Sequence, residues 1–207
     1  MQPIILILSC GRDRSYHQQV RNTWLKDSPV DYKFLLGVDQ YQSQKDELIT
    51  NVGDGYWQVA AKVKEGFRYT FDQEYSHVFK CDIDTYCHIP RLLISGFEQH
   101  DWIGNGMPYG GSGYWLSRHA ISLLLDKPTD RREGEDYWIS RNLREIGFIP
   151  FQDDRYHSRT IDGPRQDNQI ITSHWYSEIN ENGERFVKYK ERLDLIPKYY
   201  EDAKEIK

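Results

Sequence analysis

The stretch Val78-Phe79-Lys80-Cys81-Asp82-Ile83-Asp84-Thr85-Tyr86 begins apolar and runs into two carboxylates separated by one residue. An apolar start of this kind reads as a buried strand, and in open α/β sheets ligands gather outside the carboxyl ends of such strands. Asp82 and Asp84 therefore stand where a ligand is expected. Two hard oxygen donors there suit a divalent cation that holds phosphates.

The flanking sequence supplies a sheet around this strand. Pro3 to Leu8 reads as a first core strand, and Ser9-Cys10-Gly11-Arg12 as the turn behind it. Asp13 to Lys26 is predicted helical, Asp31 to Val38 a second strand, and Ser43 to Thr50 a short helix. Apolar Val59, Ala60, Val63, Phe67 and Phe71 recur close to helical spacing, so a helix over Gln58 to Asp72 delivers the chain to the Val78 strand. Pro90 suits the first turn of a helix reaching Phe97, and Asp101 to Gly104 reads as a short strand.

Gly110-Gly111-Ser112-Gly113 leads into Tyr114-Trp115-Leu116, after which Ser117 caps a helix through Leu125. Glu135 to Ile146 is a further helix stopped by Gly147, and Ile170 to Ser173 a late strand. Arg185 to Lys207 mixes aromatic and charged residues and reads as a helical segment interrupted at Pro197, leading toward a further domain. Strands alternating with helices give an α/β sheet with helices on both faces.

At 207 residues, one α/β domain spanning the chain is the favoured count. A formal net charge of -5 argues against a general nucleic-acid binder, which would carry a basic stripe. The run Ile4 to Leu8 is too short to span a bilayer and no signal-peptide pattern precedes it, so a soluble, cytoplasmic protein is expected. The three cysteines, Cys10, Cys81 and Cys87, form no Cys-x-x-Cys pair, which favours a reducing compartment. A zinc site at Cys81, Cys87 and His88 lacks the usual paired-ligand spacing.

A second acidic pair, Glu135-Asp136, stands at a helix start, where carboxylates also complement the macrodipole. Together the two pairs could serve a metal-assisted transfer to a hydroxyl, one pair for the cation and one carboxylate as base. The turn at Ser9, Cys10, Gly11 and Arg12, with Arg14 and Arg21 behind it, lies where a nucleotide would approach. Arginine offers forked donors suited to phosphate; a solvated helix face is the other reading. The Gly110 to Gly113 loop permits close backbone approach to a sugar, or simply a tight turn, and Tyr109 lies beside it.

Several segments in order resemble the nucleotide-sugar glycosyltransferases of the β-1,3-galactosyltransferase and Fringe group (glycosyltransferase family 31). Arg21-Asn22-Thr23-Trp24 resembles that group's Arg-x-Thr-Trp element, and Phe34-Leu35-Leu36-Gly37 its second strand. Tyr56 and Lys62 match its Tyr-x-Asn-Leu-Thr-x-Lys segment, the residues between them differing. Lys80 to Tyr86 is similar to its Lys-x-Asp-Asp-Asp motif with Ile83 in place of the middle aspartate. Pro108 to Ser117 resembles Pro-Tyr-x-x-Gly-x-Gly-Tyr-x-Leu-Ser, and Glu135-Asp136-Tyr137 resembles Glu-Asp-Val.

The resemblance implies a GT-A fold, a mixed Rossmann-like central sheet flanked by helices. It implies inverting transfer from a nucleotide sugar, UDP-linked by expectation, to a hydroxyl of a glycan acceptor. Asp84 and Asp82 would hold Mn²⁺ or Mg²⁺ against the diphosphate, with His174 as third protein ligand, and Asp136 would be the general base with Glu135 as the alternative. The donor would lie against Ser9, Cys10, Gly11, Arg12, Arg14, Arg21, Lys62, Asp82, Ile83, Asp84, Tyr109, Gly110 and Gly111; Lys62 reads equally as a surface lysine. The membrane anchor and lumenal disulfides of eukaryotic members have no counterpart here, which suggests a compact form such as large viruses or bacteria encode. Two other classes compete: a Mg²⁺-dependent haloacid-dehalogenase-like phosphatase, with Asp153-Asp154 as its later acidic pair, and a non-catalytic sugar-binding module of the same fold.

Overall fold

The computed structural model describes residues 1–38, 43–131, 133–157, 170–173, 178–179, 185–186 and 197. In chain order the first elements are β1 (Ile4–Leu8), α1 (His17–Asn22), β2 (Asp31–Leu36), β3 (Glu47–Ile49), α2 (Val59–Asp72) and β4 (His77–Asp82). Next come β5 (Tyr86–Cys87), α3 (Ile89–Leu93), β6 (Trp102–Gly104), β7 (Tyr114–Ser117), α4 (Arg118–Leu125) and α5 (Glu135–Glu145). The short strands β8 (Phe151–Gln152), β9 (Tyr156–His157), β10 (Thr172–Ser173), β11 (Glu178–Ile179) and β12 (Arg185–Phe186) follow.

A seven-stranded sheet in the order β3-β2-β1-β4-β7-β6-β8 forms the centre. The pairs β2/β3, β1/β2, β1/β4 and β6/β8 are parallel, and β7 runs antiparallel to both neighbours. Because successive side chains of a strand point to opposite faces, β1 feeds two cores at once. Ile5 and Ile7 pack with Val20 and Trp24 from and just beyond α1, and with Leu92 of α3. Ile4 and Leu6 pack with Val63 and Phe67 of α2, Leu124 of α4 and Trp138 of α5. In register, Leu8 faces Asp82, and Ile83 N–H donates to Leu8 O at 2.9 Å. The ends of β1 and β4 are thereby held side by side.

Most expected elements are present, with four corrections. The segment Ser43 to Thr50 is no helix: Glu47–Ile49 is an edge strand, registered on Phe34 to Leu36. Its first residue is drawn inward by charge, since Glu47 accepts from Arg14 Nε (2.9 Å) and Nη2 (2.6 Å), from His17 Nδ1 (2.9 Å) and from Gln44 N (2.9 Å). The helix expected over Asp13 to Lys26 is a 3₁₀ turn over Gly11–Tyr16 followed by α1 alone. It stops at Thr23, whose hydroxyl bonds back to Gln19 O at 2.8 Å. The helix expected to reach Phe97 ends at Leu93, with a 3₁₀ turn at Phe97–Gln99. Arg185–Phe186, expected helical, pairs antiparallel with Glu178–Ile179; of the remaining residues to 207 only Pro197 is described.

Among the described residues no helix is long and apolar enough to cross a membrane. All three cysteines are free. Cys81 and Cys87 are buried, His88 Nδ1 accepts from Arg91 N at 3.3 Å, and no metal-holding group of three His, Cys, Asp or Glu occurs among the described residues.

Glu47 ties β3 to the segment after β1. Its burial raises the carboxyl's pKa, but the hydrogen bonds from Arg14, Gln44 and His17 outweigh that and bring it down to about 2. Removing it takes a carboxylate from the part-buried Arg14 guanidinium and the buried His17 imidazole, so Glu47→Ala is expected to lose about 1–3 kcal/mol in urea denaturation at pH 7. A depressed carboxyl contributes above its unfolded value of 4.5 and loses that contribution as pH falls through about 2. The difference between wild type and Glu47→Ala should therefore shrink across that window.

Candidate active site

Strand β4 carries Lys80 into the interior and Asp82 to its carboxyl end. Lys80 lies on the same face as Val78, toward α5, and its ammonium is fully buried. Burying an unpaired charge is costly. It is met by Asp82 Oδ1 at 2.8 Å and by Glu135 Oε2 at 2.7 Å, the latter from the first turn of α5. Burial opposes the ammonium, yet Asp82, Glu135 and Asp136 together hold its pKa well above the ordinary lysine value.

The other oxygen of Glu135, Oε1, accepts from Tyr114 OH at 2.6 Å, so both carboxylate oxygens have partners. Its neighbour Asp136 is only partly buried and accepts from Gly110 N at 3.2 Å. Burial first, then the charges of Glu135 and Asp82, push the Asp136 carboxyl up to about 7, against the pull of Lys80. A group titrating there is suited to general acid–base work. Burial also raises Glu135, with Lys80 opposing.

Glycine is required between these groups. A Cβ at Gly110 would lie 2.4 Å from Asp82 Oδ1 and 2.5 Å from Lys80 Nζ, and one at Gly113 (φ +70°) 2.2 Å from Phe79 Cζ. The close approach permitted by this loop is to the chain's own β4. Thr85 Oγ1 donates to Gly111 O at 3.1 Å, and Asp82 N to Gly110 O at 3.0 Å, so the loop and the acidic segment are laced together. Tyr109 carries the loop's first carbonyl, accepting from Ser112 and Gly113.

Ile83 and Asp84 are both buried, while the Asp82 side chain is 32% exposed. Asp82 and Asp84 would be the oxygen donors to a cation at the strand end, and His174 lies outside the described residues. The donor chemistry fits a hard divalent cation. Three carboxylates act on one ammonium here, leaving negative charge in surplus.

The second half of the site is the turn after β1. Lys62, fully interior rather than on the surface, donates from Nζ to Ser9 O and to Asp54 Oδ1, both at 2.7 Å. Asp54 also accepts from Gly11 N at 2.8 Å and Gly37 N at 2.7 Å, so one carboxylate fixes the ends of β1 and β2. Ser9 Oγ bonds His17 Nε2 at 2.8 Å, and Cys10 Sγ donates to Asp13 Oδ2 at 2.7 Å. Burial and Asp13 push the Cys10 thiol up to about 11. Arg12 is exposed beside Asp13; Arg14 is engaged by Glu47, and Arg21 by Asp46 at 2.7 and 2.9 Å.

Thus Ser9, Gly11 and Lys62 form one cluster, and Asp82, Gly110, Glu135 and Asp136 another, joined through the Leu8 and Ile83 backbone. Sequence reading missed Lys80, Tyr114 and Asp54 as parts of these clusters. Lys80 stood within the quoted motif, and a lysine inside an apolar strand was the signal for it. Gly110→Ala is expected to keep the fold while displacing the Lys80–Asp82 pair, costing about 1–3 kcal/mol in thermal or urea unfolding.

No protein-family model matches the chain, and no curated protein matches it by sequence. Solved structures do match it in fold. A putative nucleotide-diphospho-sugar transferase from Desulfovibrio desulfuricans G20 superposes with a TM-score of 0.50 at 11% identity, over 74% of this chain and 80% of that one. The catalytic domain of Drosophila β1,4-galactosyltransferase 7, in a complex with xylobiose, gives 0.52 at 14% identity, over 94% and 80%. At these identities the likeness is one of architecture, and the chain has the GT-A-type fold of nucleotide-diphospho-sugar transferases.

Proposed function

We propose that this chain is a metal-dependent, inverting glycosyltransferase that moves a sugar from a UDP-sugar to a hydroxyl of a glycan acceptor. The observation that carries the reading is the convergence of Asp82, Glu135 and Asp136 at the carboxyl end of β4 on a fold shared with sugar-nucleotide transferases. The Drosophila neighbour's complex with xylobiose supports a glycan as acceptor class.

In this reading Asp82 and Asp84 hold Mn²⁺ or Mg²⁺, with His174 as the further ligand implied by the family resemblance. The bound cation would supply Lewis-acid neutralisation of charge growing on the departing diphosphate. Asp136 takes the proton of the acceptor hydroxyl as its oxygen attacks the anomeric carbon and the bond to the diphosphate breaks. Glu135 is the poorer candidate, because both of its oxygens are held by Lys80 and Tyr114. The loop after β1, fixed by Lys62 and Asp54, is the surface offered to the nucleotide.

The phosphatase reading is less favoured: the acidic pair ends the fourth strand, and Asp153, its expected later carboxylate, is held by Arg155 at 2.6 Å. A non-catalytic module would have little need for a base, and Asp136 stands beside the acidic strand end, accepting from Gly110 N.

Nucleotide release from a panel of UDP-sugars with Mn²⁺ and glycan acceptors tests the reading. Activity should vanish with EDTA and return with Mn²⁺, and Asp136→Asn should lower kcat by about 10²–10⁴-fold without unfolding the protein. Since the base must be deprotonated and its pKa is raised to about 7, kcat/KM should rise with pH through that region and flatten above it. Full activity in folded Asp84→Ala and Asp136→Asn variants would overturn the assignment.

A further inference from the structure

Lys80 places a permanent positive charge inside the cluster expected to receive a metal. Its Nζ is 2.8 Å from Asp82 Oδ1, and its side chain has no exposed surface. The same nitrogen reaches 2.7 Å to Glu135 Oε2, and the Tyr114 ring centroid lies 5.8 Å away. It therefore cannot swing out to solvent without unpicking α5 from β4. Gly110 closes the remaining side, where a Cβ would strike both Lys80 Nζ and Asp82.

We propose that Lys80 is a resident counter-cation, a positioning residue that holds Asp82 and the base-bearing end of α5 together and weakens the site's grip on a divalent ion. The inference rests on reading Asp82 as a cation ligand, as proposed above. Physically, one ammonium shares an oxygen ligand with the incoming ion, so the ion must overcome like-charge repulsion inside a partly desolvated site. In return the carboxylates stay ordered when no ion is bound. Asp82 and Glu135 would otherwise repel one another.

Lys80→Met alone would leave Glu135 buried without its cation and is expected to fold poorly. The informative comparison is between Glu135→Gln and the double variant Lys80→Met/Glu135→Gln, which differ only at position 80, in the ammonium charge and the hydrogen bond it gives Asp82. Mn²⁺ affinity is measured by electron paramagnetic resonance, with circular dichroism confirming that both are folded. The double variant should bind Mn²⁺ at least about tenfold more tightly than Glu135→Gln. A merely structural lysine would not produce this, since loosening a site weakens binding.

Equal or weaker Mn²⁺ binding in the double variant, or no Mn²⁺ binding by the wild type and both variants, overturns the proposal. Sugar transfer is scored separately on the wild type. If the wild type binds Mn²⁺ but transfers from no UDP-sugar, the glycosyltransferase reading fails, while the affinity comparison still decides the role of Lys80.

Discussion

Burial of the Lys80 ammonium at the end of β4 sets the terms for everything around it. A charge removed from water needs carboxylates at close range, and these come from two places far apart in sequence, Asp82 and Glu135. Meeting that need docks the first turn of α5 on the sheet and places Asp136 beside the Gly110 loop. Gly110 has no side chain because the ion pair occupies the space. One electrostatic requirement thus orders a strand end, a loop and a helix start.

The turn after β1 follows the same logic with the signs distributed differently. Arg14 and His17 converge on Glu47, Arg21 on Asp46, and Lys62 on Asp54, each pair joining segments remote in sequence. Arg14, Arg21 and Lys62 are cations held by carboxylates, and with His17 they serve the ends of β1, β2 and β3. Around Lys80 the balance is reversed, with three carboxylates to one ammonium, and burial together with the neighbouring carboxylates raises the pKa of Asp136. In a chain of net charge -5, the diphosphate of the proposed donor would be more readily met through a bridging cation than through basic side chains. This contrast makes the acidic end of β4 the better-founded half of the proposed site.

Legibility in the sequence tracked how local the determining forces are. The continuous apolar run of β1, the periodic face of α2 and the Ser117 cap, which accepts from Ala120 N at 3.0 Å, are set by neighbours in sequence and were read correctly. The local pattern over Ser43 to Thr50 suggests a helix, yet Glu47 is recruited by Arg14 and His17 and the strand is completed only by β2. Arg14 and Arg21 looked like phosphate donors because no pattern revealed the carboxylates waiting for them. Lys62, which spacing left open as a surface residue, is buried because its ammonium ties Ser9 to Asp54.

By itself the sequence determined the alternation of strands and helices, the carboxylates at the end of a buried strand, and the second acidic pair at a helix start. These follow from hydrophobic periodicity and capping, which act over a few residues. Only the tertiary structure decided how the two carboxylates of that second pair differ. Glu135 is held by Lys80 and Tyr114, whereas Asp136 is left half-open beside the glycine loop. That difference between adjacent residues comes from partners 55 and 21 positions from Glu135, beyond the reach of any local pattern.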